Sequence, residues 1–148
     1  MLTSIMHEFG MTTIRFADIH DNGVKELLAN SPCKKYLNYI YNECVGEVMI
    51  DTTTHELAGY IFVKNNEKEK GFIFDVTVEK PYRGNGYSHT LVDHAITKYH
   101  GRDLTVDKTN EIAISLYKKH GFIVFKDLGK QYWMVLSKYK KEFEDAEK

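Results

Sequence analysis

The chain is poor in the residues that several function classes need. It has only two cysteines, Cys33 and Cys44, in 148 residues. They lack the paired spacing of a metal site, and so sparse a pair reads as reduced thiols rather than a disulfide framework. An excess of one charge is missing too: 20 Lys and Arg stand against 21 Asp and Glu, a formal net charge of −1. No global field therefore draws in nucleic acid or an anionic membrane surface. No apolar run approaches the ~18 residues of a membrane span. The N-terminal MLTSIMHEFG lacks both the cationic start and the apolar core of a signal peptide. The expectation is a cytoplasmic protein with no nucleic-acid and no membrane partner. Histidines are not scarce, but His89, His94 and His100 lie five and six apart, off any shared helix face, and there is no H-E-x-x-H. No metal is expected.

What is present suits one α/β domain spanning 1–148. Hydrophobic residues make up 43% of the chain, and ten Tyr and eight Phe supply bulk for a core. A chain of this length buries roughly two thirds of its unfolded surface. Alternating apolar residues predict a first strand over 12–17, with 1–11 read as an N-terminal extension. Helical spacing over 21–41, broken at Ser31-Pro32, predicts two short helices. Strands follow at 44–51, 57–64 and 71–79, then a helix ending near Gly101 and a short strand at 104–106. A helix capped by Thr109 or Asn110 runs to Gly121, strands at 122–125 and 132–136 follow, and 139–148 is a charged tail. The lone Trp133, in the apolar run YWMVL, reads as core. This order predicts a mostly antiparallel mixed sheet.

One stretch carries chemistry. VEKPYRGNGYSHTLV, residues 78–92, passes from a strand through two glycines into a helix. A Rossmann fingerprint would need a third glycine where His89 stands, and a P-loop would need a lysine that is absent. The hexapeptide Arg83-Gly84-Asn85-Gly86-Tyr87-Ser88 instead matches Q/R-x-x-G-x-G/A, except that Ser88 replaces the usual Gly or Ala. Downstream, LTVDKTNEIAISLYKKHGFIVF sets Asn110, Ala113, Tyr117, Gly121 and Phe122 in a second characteristic order.

On these two motifs the chain resembles the GNAT superfamily of acyl-CoA-dependent N-acetyltransferases, over 57–137. The resemblance implies about seven strands, splayed at a cofactor cleft, and about four helices. It implies acetyl-CoA as donor and a primary amine as acceptor, with direct attack through a tetrahedral intermediate. The diphosphate would lie on Arg83, Gly84, Asn85, Gly86, Tyr87 and Ser88. Bare amides at a helix N-terminus suit an anion, and glycines let it approach. The Arg83 side chain either contacts phosphate or braces the loop. The pantetheine arm would run along the backbone of Val76 and Val78 and meet Asn110, which also reads as an N-cap.

At pH 7 an amine with a pKa near 10.4 is almost wholly protonated, so some group must remove a proton. Asp75, which breaks the apolar run FIFDV, is the candidate base, with Glu79 or a carboxylate of the early helices as alternatives. An amide at Val76 or Thr77 would stabilise the oxyanion. Tyr117 is where the family places the acid that protonates the leaving thiolate. Balanced charge points away from a strongly cationic acceptor. A small amine, an amino acid, an antibiotic, a peptide or protein N-terminus and a lysine stay open. Dimers are frequent in the family, so a homodimer is open too. The rival readings are a non-catalytic acyl-CoA-binding regulatory module and a toxin-type aminoacyl-tRNA acetyltransferase.

Overall fold

Residues that are β-branched or aromatic concentrate where the backbone becomes extended, and a period of two divides them between two cores. The computed structural model describes residues 3–6 and 13–148. Its strands are β1 Thr3–Met6, β2 Thr13–Asp18, β3 Cys44–Asp51, β4 Leu57–Asn65, β5 Lys70–Val78, β6 Asp103–Asp107, β7 Phe122–Asp127 and β8 Gln131–Leu136. The helices are α1 Val24–Leu28, α2 Leu37–Glu43, α3 Tyr87–Thr97, α4 Glu111–Lys119 and α5 Lys140–Ala146.

All eight strands form one sheet in the order β1-β2-β3-β4-β5-β6-β8-β7. Each neighbouring pair is antiparallel except β5 and β6. In β4, Ile61 and Val63 point to the core under α3, while Tyr60 and Phe62 point to the core under α1 and α2. Both faces of β4 are covered, so AGYIFV, residues 58–63, is a continuous buried run. α3 contributes Leu91, Val92 and Ala95 to the first core, and α1 and α2 contribute Val24, Leu28 and Ile40 to the second.

Among the described residues there is one strand and one helix more than the expected seven and four. The additional strand is Thr3–Met6, inside the segment read as an extension, which pairs with β2 in the register Thr3↔Phe16. Thr12, where sequence started the first strand, lies outside the described residues. The additional helix is α5, in the charged tail. The tail docks through Phe143, whose ring lies 5.6 Å from Trp133 and 6.1 Å from Phe125. Trp133 is half-buried, and its indole N–H donates to Asp103 Oδ2 at 2.8 Å.

Two irregularities prepare the site. β5 and β6 are bridged at one register pair, Phe72↔Asp103, and their ladder stops there. On its other edge β5 pairs Phe62↔Asp75 and then Val63↔Ile73, so Phe74 is a bulge with no partner of its own in β4. Bulges of this kind re-aim the side chains beside them.

Candidate active site

Beyond the Phe72–Asp103 bridge the sheet opens into a wedge of about 230 Å³, lined by Asp75 and Val76 of β5, Asn110 and Tyr117 of α4, and Gln131 of β8. The backbone of β5 faces it in a defined phase. Glu79 N–H donates to Ala58 O of β4 at 2.8 Å. Because an antiparallel ladder alternates, Thr77 also turns its amide to β4, whereas Val76 and Val78 turn theirs toward the wedge. The Val78 side chain, 8% exposed, belongs to the core. Only its backbone faces the gap.

Asp75 and Tyr117 enter the wedge from opposite sides. Thr77 Oγ1 donates to Asp75 Oδ1 at 2.8 Å. Burial raises the Asp75 pKa, and the Thr77 hydrogen bond opposes that rise. The Tyr117 phenol is pushed up to about 12, by burial first and by the negative charge of Asp75 second. Its ring sits edge-on to Phe122 at 6.0 Å. A carboxylate made more basic thus faces a phenol that keeps its proton across the neutral range.

At the wedge mouth, the chain leaves β5 through a short 3-10 turn, Lys80–Tyr82, started by Pro81. Arg83 Nε donates to Val78 O at 3.0 Å, so this side chain braces the loop. Asn85 does the same, its Nδ2 donating to Tyr82 O at 3.1 Å. Gly84 and Gly86 are left-handed, with φ of 84° and 78°, a conformation that side chains other than glycine adopt at a cost. A Cβ built on either would meet nothing within 4 Å, so the surface beside them is open. α3 starts at Tyr87 with no side-chain cap. The Tyr87 ring, 3% exposed, is packed in the core, which leaves its amide as the part that faces the loop.

Asn110 does act as an N-cap: its Oδ1 accepts from Ala113 N–H at 3.1 Å. Ser88 borders a hollow of about 440 Å³ between α3 and α4, together with Gly86, His89, Ile112 and Lys119. There His89 Nδ1 lies 3.0 Å from His120 Nε2. Burial first, and then His89, lower the His120 pKa. Glu79, the alternative base, does not line the wedge but a neighbouring cavity.

Gln131 and His120 escaped sequence reasoning, as did the side-chain role of Thr77, which was expected only through its amide. Thr77 had a usable signal, since Asp-x-Thr in a strand puts both side chains on one face. Gln131 and His120 had none, because each reaches its place by a distant strand or helix end. Among the described residues no cluster of three or more His, Cys, Asp or Glu is placed to hold a metal. No helix there is long and apolar enough to cross a membrane.

A sheet split between two parallel strands, with a carboxylate and a phenol in the split and an uncapped glycine-led helix at its mouth, defines an acyltransferase of the open-sheet α/β class. The chain belongs to the Acetyltransferase (GNAT) family, whose sequence profile matches residues 15–122. No curated protein sequence matches it significantly. Solved structures share the fold at low identity. A Pyrococcus horikoshii OT3 protein superposes with a TM-score of 0.66 at 18% identity, over 82% of this chain and 96% of its own. Arabidopsis thaliana NAA60 in complex with acetyl-CoA gives 0.60 at 21%, over 82% and 98%. The ribosomal-protein alanine N-acetyltransferase of Escherichia coli gives 0.61 at 13%, over 82% and 90%.

Proposed function

We propose that this acyltransferase moves the acetyl group of acetyl-CoA onto a primary amine. The observation that carries the reading is the Asp75–Tyr117 pair in the wedge, with the bare end of α3 at its mouth. The similarity to structures solved with acetyl-CoA, such as that of Arabidopsis NAA60, supports it.

The residues fit the donor. The open side of Gly84 and Gly86 and the N–H groups at the start of α3 would take its diphosphate, where the helix dipole favours negative charge. The backbone of Val76 and Val78 and the amide of Asn110 would hold the arm. Acetyl-CoA supplies the acetyl group as a thioester, already activated toward attack. Arg83 and Asn85 shape the cradle from behind, since their side chains are bonded to backbone carbonyls of the loop.

Asp75 takes the proton that the incoming ammonium must lose, and its raised pKa makes it a stronger base than an exposed aspartate. The Val76 N–H, turned away from β4, is the amide placed to stabilise the oxyanion, while the Thr77 amide is turned to the sheet. Tyr117 gives its proton to the departing thiolate. The nitrogen sheds its second proton as the intermediate collapses, and that proton replaces the one Tyr117 gave up; Asp75 passes its own to solvent, so each turnover releases one proton.

A small amine, a protein N-terminus and a lysine side chain are all acceptors of this chemistry. The test is release of CoA thiol from acetyl-CoA over a panel of amines and peptides. Tyr117→Phe is expected to lower kcat by about tenfold or more with the acetyl-CoA Kd nearly unchanged. Equal rates would remove Tyr117 from the acid role. Tight acetyl-CoA binding without turnover on any acceptor would make the protein a binding module instead.

The pH profile follows from the sign of the shifts. Asp75 is a base only above its raised pKa, so kcat/KM is expected to fall as pH drops, with the acid limb set higher than an exposed aspartate would set it. Tyr117, at about 12, keeps its proton throughout the usual assay range. In Asp75→Asn the acid limb should disappear together with most of the rate. An Asp75→Asn protein that keeps both the acid limb and the rate would exclude Asp75 as the base.

A further inference from the structure

The bulge in β5 changes which face Phe74 takes. Along a regular strand neighbouring side chains alternate, so Phe74 and Asp75 would lie on opposite faces of the sheet. Here Ile73 belongs to the core under α3, whereas Phe74 packs against the core under α1 and α2. Asp75 is in register with Phe62, a residue of that same second core, and cross-strand partners share a face. The bulge thus sets an aromatic ring and the carboxylate that follows it on one side of β5, and both line the wedge.

Phe74 is part of a larger aromatic wall. Its ring is edge-on to Tyr36 at 6.0 Å and tilted against Tyr39 at 5.1 Å. Lys64 Nζ lies over the Tyr39 and Phe74 rings, 5.5 and 5.8 Å from their centroids, and pairs with Glu69 at 3.5 Å, which offsets its charge. Tyr36 is 45% exposed, one of four large apolar side chains open to solvent among the described residues. A second, Leu128, stands in the turn after β7, where its N–H donates to the carbonyl of Gln131, which also lines the wedge. Exposed apolar side chains scattered singly need no explanation, but two of four set against residues of one wedge do. The charged lining of that wedge is Asp75 and Asp107, with neither Lys nor Arg. Its chemistry suits a cation that carries an apolar group.

We propose that Phe74 and Tyr36 form an aryl subsite beside Asp75, and that the acceptor is a primary amine carrying an aromatic ring two carbons from its nitrogen. The proposal rests on the acetyl-transfer reading of the wedge and names the acceptor class for it. The substrate ring packs against Phe74 and Tyr36 in the offset or edge-to-face manner that aromatic pairs prefer, and the ammonium meets the Asp75 carboxylate. A free arylalkylamine and a peptide whose first residue is phenylalanine present this same group.

The test measures kcat/KM, with purified protein and acetyl-CoA, for 2-phenylethylamine against ethylamine and for Phe-Gly-Gly against Ala-Gly-Gly. The ring is expected to raise kcat/KM by about tenfold in at least one pair, the worth of a good aromatic contact. The pair that shows it tells a free amine from a peptide N-terminus. Tyr36 lies outside both cores, so Tyr36→Ala removes a ring without opening a cavity, and it should cut that ratio roughly fivefold. The basicities of the two substrates cancel when the ratio is compared between the two proteins. Phe74→Leu keeps apolar bulk and should lower the ratio as well. Ratios near one in both pairs, or a ratio that Tyr36→Ala leaves unchanged, overturn the proposal while the acetyl-transfer reading stands. If no amine releases thiol, equilibrium dialysis of 2-phenylethylamine and of Phe-Gly-Gly against the protein with CoA decides. Retention that Tyr36→Ala weakens sustains the subsite and overturns the acetyl-transfer reading; no retention of either overturns the subsite.

Discussion

α3 and α4 both start at the wedge, and they start in opposite ways. α4 satisfies itself: Asn110 Oδ1 accepts from Ala113 N–H at 3.1 Å, and Asn110 O accepts from Ile114 N–H at 3.0 Å. α3 has a glycine at the equivalent place, left-handed at φ 78°, with no side chain to cap anything. The polar side chains just before it turn backward, Arg83 to Val78 O and Asn85 to Tyr82 O. Glycine in place of a capping side chain costs roughly a few tenths of a kcal/mol of helix stability. A helix that forgoes the cap keeps its first N–H groups and the positive end of its dipole for something else. The difference teaches which helix is built for packing and which for an anion.

The largest effect should come from filling the bare end. Gly86→Val places a β-branched side chain at a positive φ and in the open space beside the loop. Acetyl-CoA affinity, measured by calorimetry, is expected to fall roughly 10- to 100-fold, the worth of one or two charge-assisted hydrogen bonds. A melting curve by circular dichroism separates this from unfolding. Unchanged affinity in a folded Gly86→Val protein would break the comparison, since α3 would then be bare without purpose.

A smaller effect is expected at the self-capped end. Asn110→Ala should cost about 1 kcal/mol in denaturant unfolding through loss of the cap, and Asn110→Asp should restore most of it. If Asn110 also contacts the donor, Asn110→Asp will stay weak in acetyl-CoA binding after its stability has returned. That outcome would sharpen the contrast by giving the α4 cap two tasks. Full recovery of both would confine Asn110 to the helix.

Much of this arrangement was legible because its signals are local. The strand at Cys44–Asp51 shows its end in sequence, since a β-rich run meets the polar turn TTTHE, while at its start it follows α2 directly. The glycine loop and the Asn-to-Tyr spacing of α4 are short-range patterns that follow from turn and helix geometry. Less legible were residues whose role depends on a distant partner. The bond from Arg83 Nε to Val78 O joins residues across a turn whose shape the sequence does not draw. Glu79 resembled Asp75 as a candidate base, and only the folded structure shows it lining a separate cavity. The pairing of Thr3–Met6 was hidden too, because four residues are too few to show a period.

By itself the sequence determined the alternation of buried and exposed faces, the helix starts and stops, and the glycine positions where the backbone must turn left-handed. These are properties of a residue and its near neighbours. Tertiary structure alone decided that β5 and β6 part after a single bridge, that Asp75 and Tyr117, 42 positions apart, share one wedge, and that Glu79 lines a different cavity. The physical reason is that a pKa, a cavity or an unpaired carboxylate depends on what surrounds a group in space, and strand order supplies those surroundings.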